Sequence, residues 1–262
     1  MIAEEKVNTS VGDELWALMY DVGNAGRPKG ELEFFANELK TCQGPALEIA
    51  CGTGVVLFEM LRHGIDIYGL DLSTNMLKAL YSKAEAIGIA DIQERVTMQN
   101  MVNFRYDHQF DAIIVPARSF LYLTSQQDQI DCLRNIHSHL RDGGKLLLNF
   151  FNPMAYLEVI SGTESAGGFL PMGTFEHPDT GENVDIKFSY TNDIPNQLQN
   201  GLMRFVFGGH SYDYEMPMRW IFKEEFQLLL RLSGFSRWEV YGSFSKKPFK
   251  GSDGEMIWKA WK

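Results

Sequence analysis

The chain lacks an excess of positive charge. Its 24 lysines and arginines face 34 acids, a formal net charge of -10, so the basic surface from which phosphate binding draws most of its affinity is missing. Nucleic acid is therefore not the expected partner. A basic groove confined to one face would leave that total unchanged, so the argument bears on the surface as a whole. Cysteine is scarce as well. Cys42, Cys51 and Cys132 have no metal-ligand spacing and ask for no oxidising compartment, so they read as free thiols. No apolar run approaches the ~18 residues of a membrane span, and the start, Met1-Ile-Ala-Glu-Glu-Lys6, has no basic region followed by an apolar one. A soluble, cytoplasmic protein is expected. Internal repeats, low-complexity tracts and long linkers are missing too.

What is present suffices for a full core: 262 residues, 45% of them hydrophobic, a size at which α/β folds are commonly a single domain. Apolar residues at helical spacing predict helices over 12–22 and 31–40, joined by the glycine- and proline-rich segment Gly23 to Gly30, read as a mobile loop. Strands and helices then alternate: strand 46–50, helix 54–63, strand 66–70, helix 74–87, strands 95–99 and 111–115, helix 125–140, strand 145–150. Ser73 is a suitable N-cap, and Gly143-Gly144 is expected to stop the helix before it. Ala112 to Val115 and Leu146 to Leu148 look buried on both faces, as parallel strands between helices must be.

From Met154 the period changes. Val184, Ile186, Phe188 and Tyr190 alternate with polar residues, as do Met203, Phe205 and Phe207, and again Tyr212, Tyr214, Met216, Met218 and Trp220. These are three antiparallel strands, with Asn200-Gly201 as a hairpin turn. Helix resumes over 223–232, and strands at 238–241 and 256–258 close the sheet. The expectation is α/β: a doubly wound, Rossmann-like, mostly parallel seven-stranded sheet with an antiparallel last pair and a small antiparallel β insertion. The divisions are 1–153 for N-terminal helices and core, 154–221 for an insertion over the active site, and 222–262 for the rest of the core.

The most informative stretch is Ala46-Leu-Glu48-Ile-Ala50-Cys51-Gly52-Thr53-Gly54, followed by Ile67-Tyr-Gly-Leu-Asp71-Leu-Ser73. A buried strand, a glycine turn into a helix, and a second strand ending in an acid about 20 residues on make a nucleoside-binding crossover. A pyrophosphate binder would place a third glycine where Leu57 stands. Glu48 would repel a pyrophosphate but accepts hydrogen bonds from an amino acid's ammonium. Asp71 has two oxygens for two ribose hydroxyls. The ligand expected is S-adenosylmethionine.

With Gln99-Asn100-Met101 after the third strand and Phe110-Asp111-Ala-Ile-Ile-Val-Pro116 as the fourth, the chain resembles the class I S-adenosylmethionine-dependent methyltransferases. The similarity covers residues 12–153 and extends through Arg219-Trp220-Ile-Phe222-Lys-Glu-Glu225 and Leu232-Ser-Gly234-Phe235. It points to small-molecule enzymes that include sugar-amine and glycine N-methyltransferases. The resemblance implies S-adenosylmethionine as cosubstrate and S-adenosylhomocysteine as product. It places Tyr20, Glu48, Ala50, Gly52, Gly54, Asp71, Leu72, Met76, Asn100, Met101 and Pro116 around the cosubstrate. Asn100 stands where many members carry an acid. It is expected to meet the adenine amine through its side-chain oxygen, with the Met101 N–H on a ring nitrogen; the other reading makes it the start of a turn.

Methyl transfer from a sulfonium releases a neutral leaving group, so alignment dominates and no triad is expected. Tyr122 is the first choice for orienting the acceptor or accepting its proton, although a free pKa of ~10 favours orientation. Arg118 would pair with a substrate carboxylate or phosphate, or with a local acid. Trp16, Phe120, His210, Tyr212 and Arg219 are the residues expected against the substrate. Trp16 and Tyr20 offer aromatic faces to a sulfonium. His137 and His139 diverge on their helix and make no metal pair, and no carboxylate cluster for Mg²⁺ is seen near the fourth strand. The expected function is methyl transfer to a small molecule, more at an amine nitrogen than at oxygen or carbon. RNA or protein methylation, and cosubstrate binding without turnover, are the alternatives. Against nucleobase amines, Val115-Pro116-Ala117-Arg118 stands where Asn-Pro-Pro-Tyr would.

Overall fold

A computed structural model describes residues 9–22, 28–162 and 168–262. The N-terminal hexapeptide, residues 23–27 of the expected loop, and Gly167 of the glycine-rich stretch lie outside the described residues. In chain order the elements are α1 (Thr9–Val22), α2 (Glu31–Leu39), β1 (Ala46–Ile49), α3 (Val55–Arg62), β2 (Ile67–Asp71), α4 (Thr74–Ala86), α5 (Ile92–Arg95), β3 (Val96–Met98), β4 (Phe110–Val115), α6 (Gln126–His139) and β5 (Leu140–Phe151). Then come α7 (Leu157–Ser161), β6 (Leu170–Glu176), β7 (Asn183–Asp193), β8 (Leu198–Phe207), β9 (His210–Arg219), α8 (Lys223–Leu232), β10 (Arg237–Tyr241) and β11 (Glu255–Trp261). They divide into two units: 28–157 with Arg219–Lys262, and α1 with Glu158–Met218. α1 thus groups with the inserted strands, where the sequence reading had joined it to the core.

The larger unit is built on a seven-stranded sheet of order β10-β11-β5-β4-β1-β2-β3. β3, β2, β1, β4 and β5 run parallel, whereas β11 is antiparallel to β5 and β10 to β11. All four residues of β1 and all six of β4 are buried, which explains why they read as unbroken apolar runs. On one face Phe34 and Phe35 of α2 and Leu57 and Met60 of α3 pack over Ala46, Ile114, Leu147 and Ile257. On the other, Phe226 of α8 lies edge-on to Phe120, Phe150 and Trp258 at 4.9–5.7 Å. Strand order reverses between β1 and β4, the switch point at which an open α/β sheet takes its ligand.

Gly143-Gly144 does not stop α6, which ends at His139. The pair lies inside β5, where the register slips from Phe110↔Leu140 to Ala112↔Lys145. A β-carbon on Gly144 would come within 2.8 Å of the Arg141 carbonyl, so this bulge requires glycine.

The smaller unit carries a four-stranded antiparallel sheet, β6-β7-β8-β9, one strand more than the alternation predicts. The additional strand, β6, contains Pro171 and Gly173 and buries only Phe175, which fits an edge position and hides it from a periodicity search. Asn200-Gly201 is not the hairpin turn. Both sit within β8 opposite Thr191 and Tyr190, because that register sets Ile186 against Phe205 and Phe188 against Met203. The β7–β8 connection turns at Ile194–Gln197 instead. The tight hairpin is β8–β9, where Gly208 and Gly209 have φ of 58° and 78°, the type I′ pattern.

Candidate active site

In the larger unit, the chain leaving β1 turns sharply. Ala50 has a positive φ of 57°, followed by Gly52 at 55° and Gly54 at 84°, the residue before α3. A β-carbon on Gly52 would meet nothing nearer than Met76 Sδ at 3.8 Å, whereas on Gly54 it would press on the Phe58 ring and on Leu80 at 3.1 Å. Gly52 therefore keeps a surface open, and Gly54 lets α3 pack close. Between them Thr53 is fully buried and its hydroxyl makes no hydrogen bond to protein. Glu48, two residues before the turn, is 2% exposed.

Asp71 ends β2 and closes the turn from the other side. The Gly52 N–H donates to its Oδ2 and the Ser73 N–H to its Oδ1, both at 2.8 Å. Burial pushes the Asp71 carboxyl above its usual range, and the N–H groups of Ser73, Gly52 and Leu72 pull it part of the way back. Each oxygen keeps acceptor capacity for a hydroxyl. Ser73 caps α4, accepting the Met76 N–H at 3.3 Å. Met76 is thereby fixed beneath Gly52. Leu72 is 63% exposed and Met98, opposite Asp71 in the register, is 61% exposed. Two large apolar side chains left in water beside an acid suit the flat face of a base next to its ribose. Met98 was not among the residues expected from the sequence, because a lone methionine at the end of a three-residue strand carries no signal.

Asn100 begins the turn that follows β3. Its Oδ1 accepts the Val102 N–H at 2.9 Å and its carbonyl the Asn103 N–H at 3.2 Å, which orders the loop that presents Met101.

Beyond β4 the chain makes a second strained turn. Ala117 and Arg118 both have positive φ, 56° and 63°, and the Ser119 N–H and hydroxyl donate to the Pro116 carbonyl at 3.1 and 2.8 Å. Left-handed geometry costs a non-glycine residue about 1–2 kcal/mol. External contacts hold it: the Ala117 N–H donates to Glu31 Oε1 at 3.1 Å, and Arg118 pairs with Glu255. So the partner of Arg118 is an acid at the start of β11. Glu31 and Glu255 were missed by the sequence reading. The signal for Glu255 was its place: the first residue of a final antiparallel strand must lie by the carboxyl end of β5.

The remaining residues separate. Tyr122 is half-exposed in the short 3-10 turn Ser119–Tyr122. Phe120 is fully buried against Phe226, so it is a core residue and not a substrate contact. Arg219 is also corrected: it is 4% exposed and donates to Gln129 at 3.2 Å and Glu225 at 2.7 Å, tying α6 to α8 inside the unit. Trp16, Tyr20, His210 and Tyr212 belong to the smaller unit. There Trp16 stacks on Tyr214 with ring centroids 4.9 Å apart and lies 5.9 Å from Tyr20. His210 is exposed and Tyr212 half-buried. Among the described residues no three His, Cys, Asp or Glu side chains converge as a metal site would need, and no helix is long and apolar enough to cross a membrane.

Comparison with known proteins agrees with this geometry. A family model described as a methyltransferase domain matches residues 46–144. The glycine/sarcosine N-methyltransferase of Halorhodospira halochloris is 28% identical over 88% of this chain and 80% of its own length. The cypemycin N-terminal methyltransferase of a Streptomyces species is 23% identical over 95% and 96%. The solved structure of the CcbJ methyltransferase from Streptomyces caelestis superposes with a TM-score of 0.72 at 22% identity, covering 91% of this chain and 98% of the other.

Proposed function

We propose that this chain, a class I S-adenosylmethionine-dependent methyltransferase, transfers its methyl group to an amine nitrogen of a small molecule. The observation that carries the choice of nitrogen is the acceptor named for two relatives matched over most of the chain, glycine or sarcosine in one and the N-terminus of cypemycin in the other.

The residues fit the cosubstrate. In this reading Gly52 lets the chain's backbone come close to the cosubstrate, Glu48 takes the ammonium of its methionine part, Asp71 the ribose, and Leu72 with Met98 the base. When bound, S-adenosylmethionine supplies an electrophilic methyl group on a cationic sulfur. The chain's own task is to align the acceptor and keep water out, a proximity effect worth up to ~7–11 kcal/mol when reacting atoms are held in line. To Tyr122, at the end of the turn that follows β4, this reading assigns the orientation of the acceptor.

The test is transfer of labelled methyl groups to glycine, glucosamine, benzylamine and catechol in parallel. Turnover of an amine and not of catechol is expected. Turnover of catechol alone would sink the choice of nitrogen.

A further inference from the structure

We infer that the cosubstrate site continues past the base: an open groove along α4 receives a group carried on the adenine amine, so the chain binds N6-substituted forms of S-adenosylmethionine as well as the parent. This rests on the cosubstrate assignments above and not on the choice of nitrogen as acceptor.

The first support is the groove itself. α4, the loop after it and α5 border a cavity of about 680 Å³ that has Met98 of β3 among its walls. Thr74, Lys78, Ser82 and Glu85 line it from α4. Their spacing of three or four residues puts them on one face of the helix, and at 1.5 Å per residue the lined face runs for about 16 Å. The buried side chains of Leu77 and Ile92 give an apolar floor beneath the charged rim of Lys78 and Glu85. An aryl or alkyl group suits that combination. Tyr81 is a fixed part of the wall, because its hydroxyl donates to the Val96 carbonyl at 3.1 Å.

Position is the second support. Met98 belongs to both places: it lies opposite Asp71 in the register, and its Sδ accepts the Thr74 hydroxyl at 3.7 Å where the groove begins. A ribose on Asp71 with its purine against Leu72 and Met98 lays the base across one strand spacing of ~4.8 Å. The purine edge farthest from the sugar carries the amino group and so overhangs β3. That strand is the last of the sheet, and no further strand closes the space beyond it.

The third support is Asn100. Its Oδ1, the acceptor expected for the adenine amine, already takes the Val102 N–H at 2.9 Å. One acceptor position is left on that oxygen. A secondary amine still offers the single hydrogen it needs, so a substituent on the amine costs no contact there.

The experiment is calorimetric titration of S-adenosylhomocysteine and of its N6-benzyl derivative into wild type, Lys78→Trp and Ser82→Trp. Both positions are exposed on α4, and the melting temperature checks that each variant folds. Wild type is expected to bind the two ligands within 3-fold of each other. Each tryptophan, filling the groove, should leave S-adenosylhomocysteine within 3-fold of wild type and weaken the benzyl derivative at least 10-fold. A benzyl derivative more than 3-fold weaker than the parent in wild type overturns the inference and leaves the cosubstrate reading intact, whatever the variants do. Folded variants that weaken neither ligand, or both alike, overturn it as well. If S-adenosylhomocysteine itself does not bind wild type, the cosubstrate reading falls and the groove's role with it.

Discussion

Asp71 accepts the Gly52 N–H at 2.8 Å, a contact that spans 19 residues of sequence and joins the end of β2 to the turn after β1. The acid and the glycine are therefore one piece of structure. The conformation that opens space above Gly52 is maintained by the side chain assigned to the ribose.

Asp71→Asn replaces one oxygen by a donor that faces either the Gly52 or the Ser73 N–H. The loss of a charge-assisted hydrogen bond is worth about 1.5–3 kcal/mol. S-adenosylmethionine affinity is expected to fall roughly 10- to 150-fold by calorimetric titration, with a smaller fall in melting temperature.

The two glycines should respond differently. Gly52→Ala meets open space and incurs only the left-handed penalty of ~1–2 kcal/mol in stability, yet places a methyl group on the surface proposed to receive the cosubstrate. Binding should be lost out of proportion to stability. Gly54→Ala strikes Phe58 and Leu80, so its first effect is on the melting temperature. Equal stability and binding losses in both variants would contradict the separate roles.

Glu38 is 3% exposed and held by Lys145 at 3.2 Å, Lys259 at 2.8 Å and Lys246. Burial raises its carboxyl, but hydrogen bonds from Lys246 and Lys259 and the charges of Lys259 and Lys145 overcome this and bring it down from 4.5 to about 2. The folded value lies below the unfolded one. The stabilisation is therefore present above pH 4.5 and is lost as pH falls towards 2. Denaturant unfolding should show up to about 3 kcal/mol disappearing across that window, and Glu38→Gln should flatten it while lowering stability at pH 7.

Arg219→Ala removes a buried cation from Gln129 and Glu225. It should destabilise by about 3–5 kcal/mol, as breaking buried pairs does, read as a lower denaturation midpoint. S-adenosylmethionine affinity per folded molecule should be unchanged. A selective rise in acceptor KM with normal stability would restore Arg219 to the substrate side.

Periodicity along the chain determined the order of strands and helices, the parallel core with its antiparallel last pair, and the places of Glu48, Gly52, Gly54 and Asp71. Those features are local: a strand buried on both faces must be an apolar run, a turn with φ of 84° at Gly54 favours glycine, and an acid at a strand end is legible from the strand. Tertiary structure alone decided what depends on contacts between distant segments. Phe120 and Phe226 meet across 106 residues and become core, and Arg118 finds Glu255 across 137. Asn200-Gly201 is a turn signal overruled by the register that pairs Phe188 with Met203. Side-chain type records what a residue can do, but partners brought together by folding determine which charges are satisfied within the chain and which remain for a ligand.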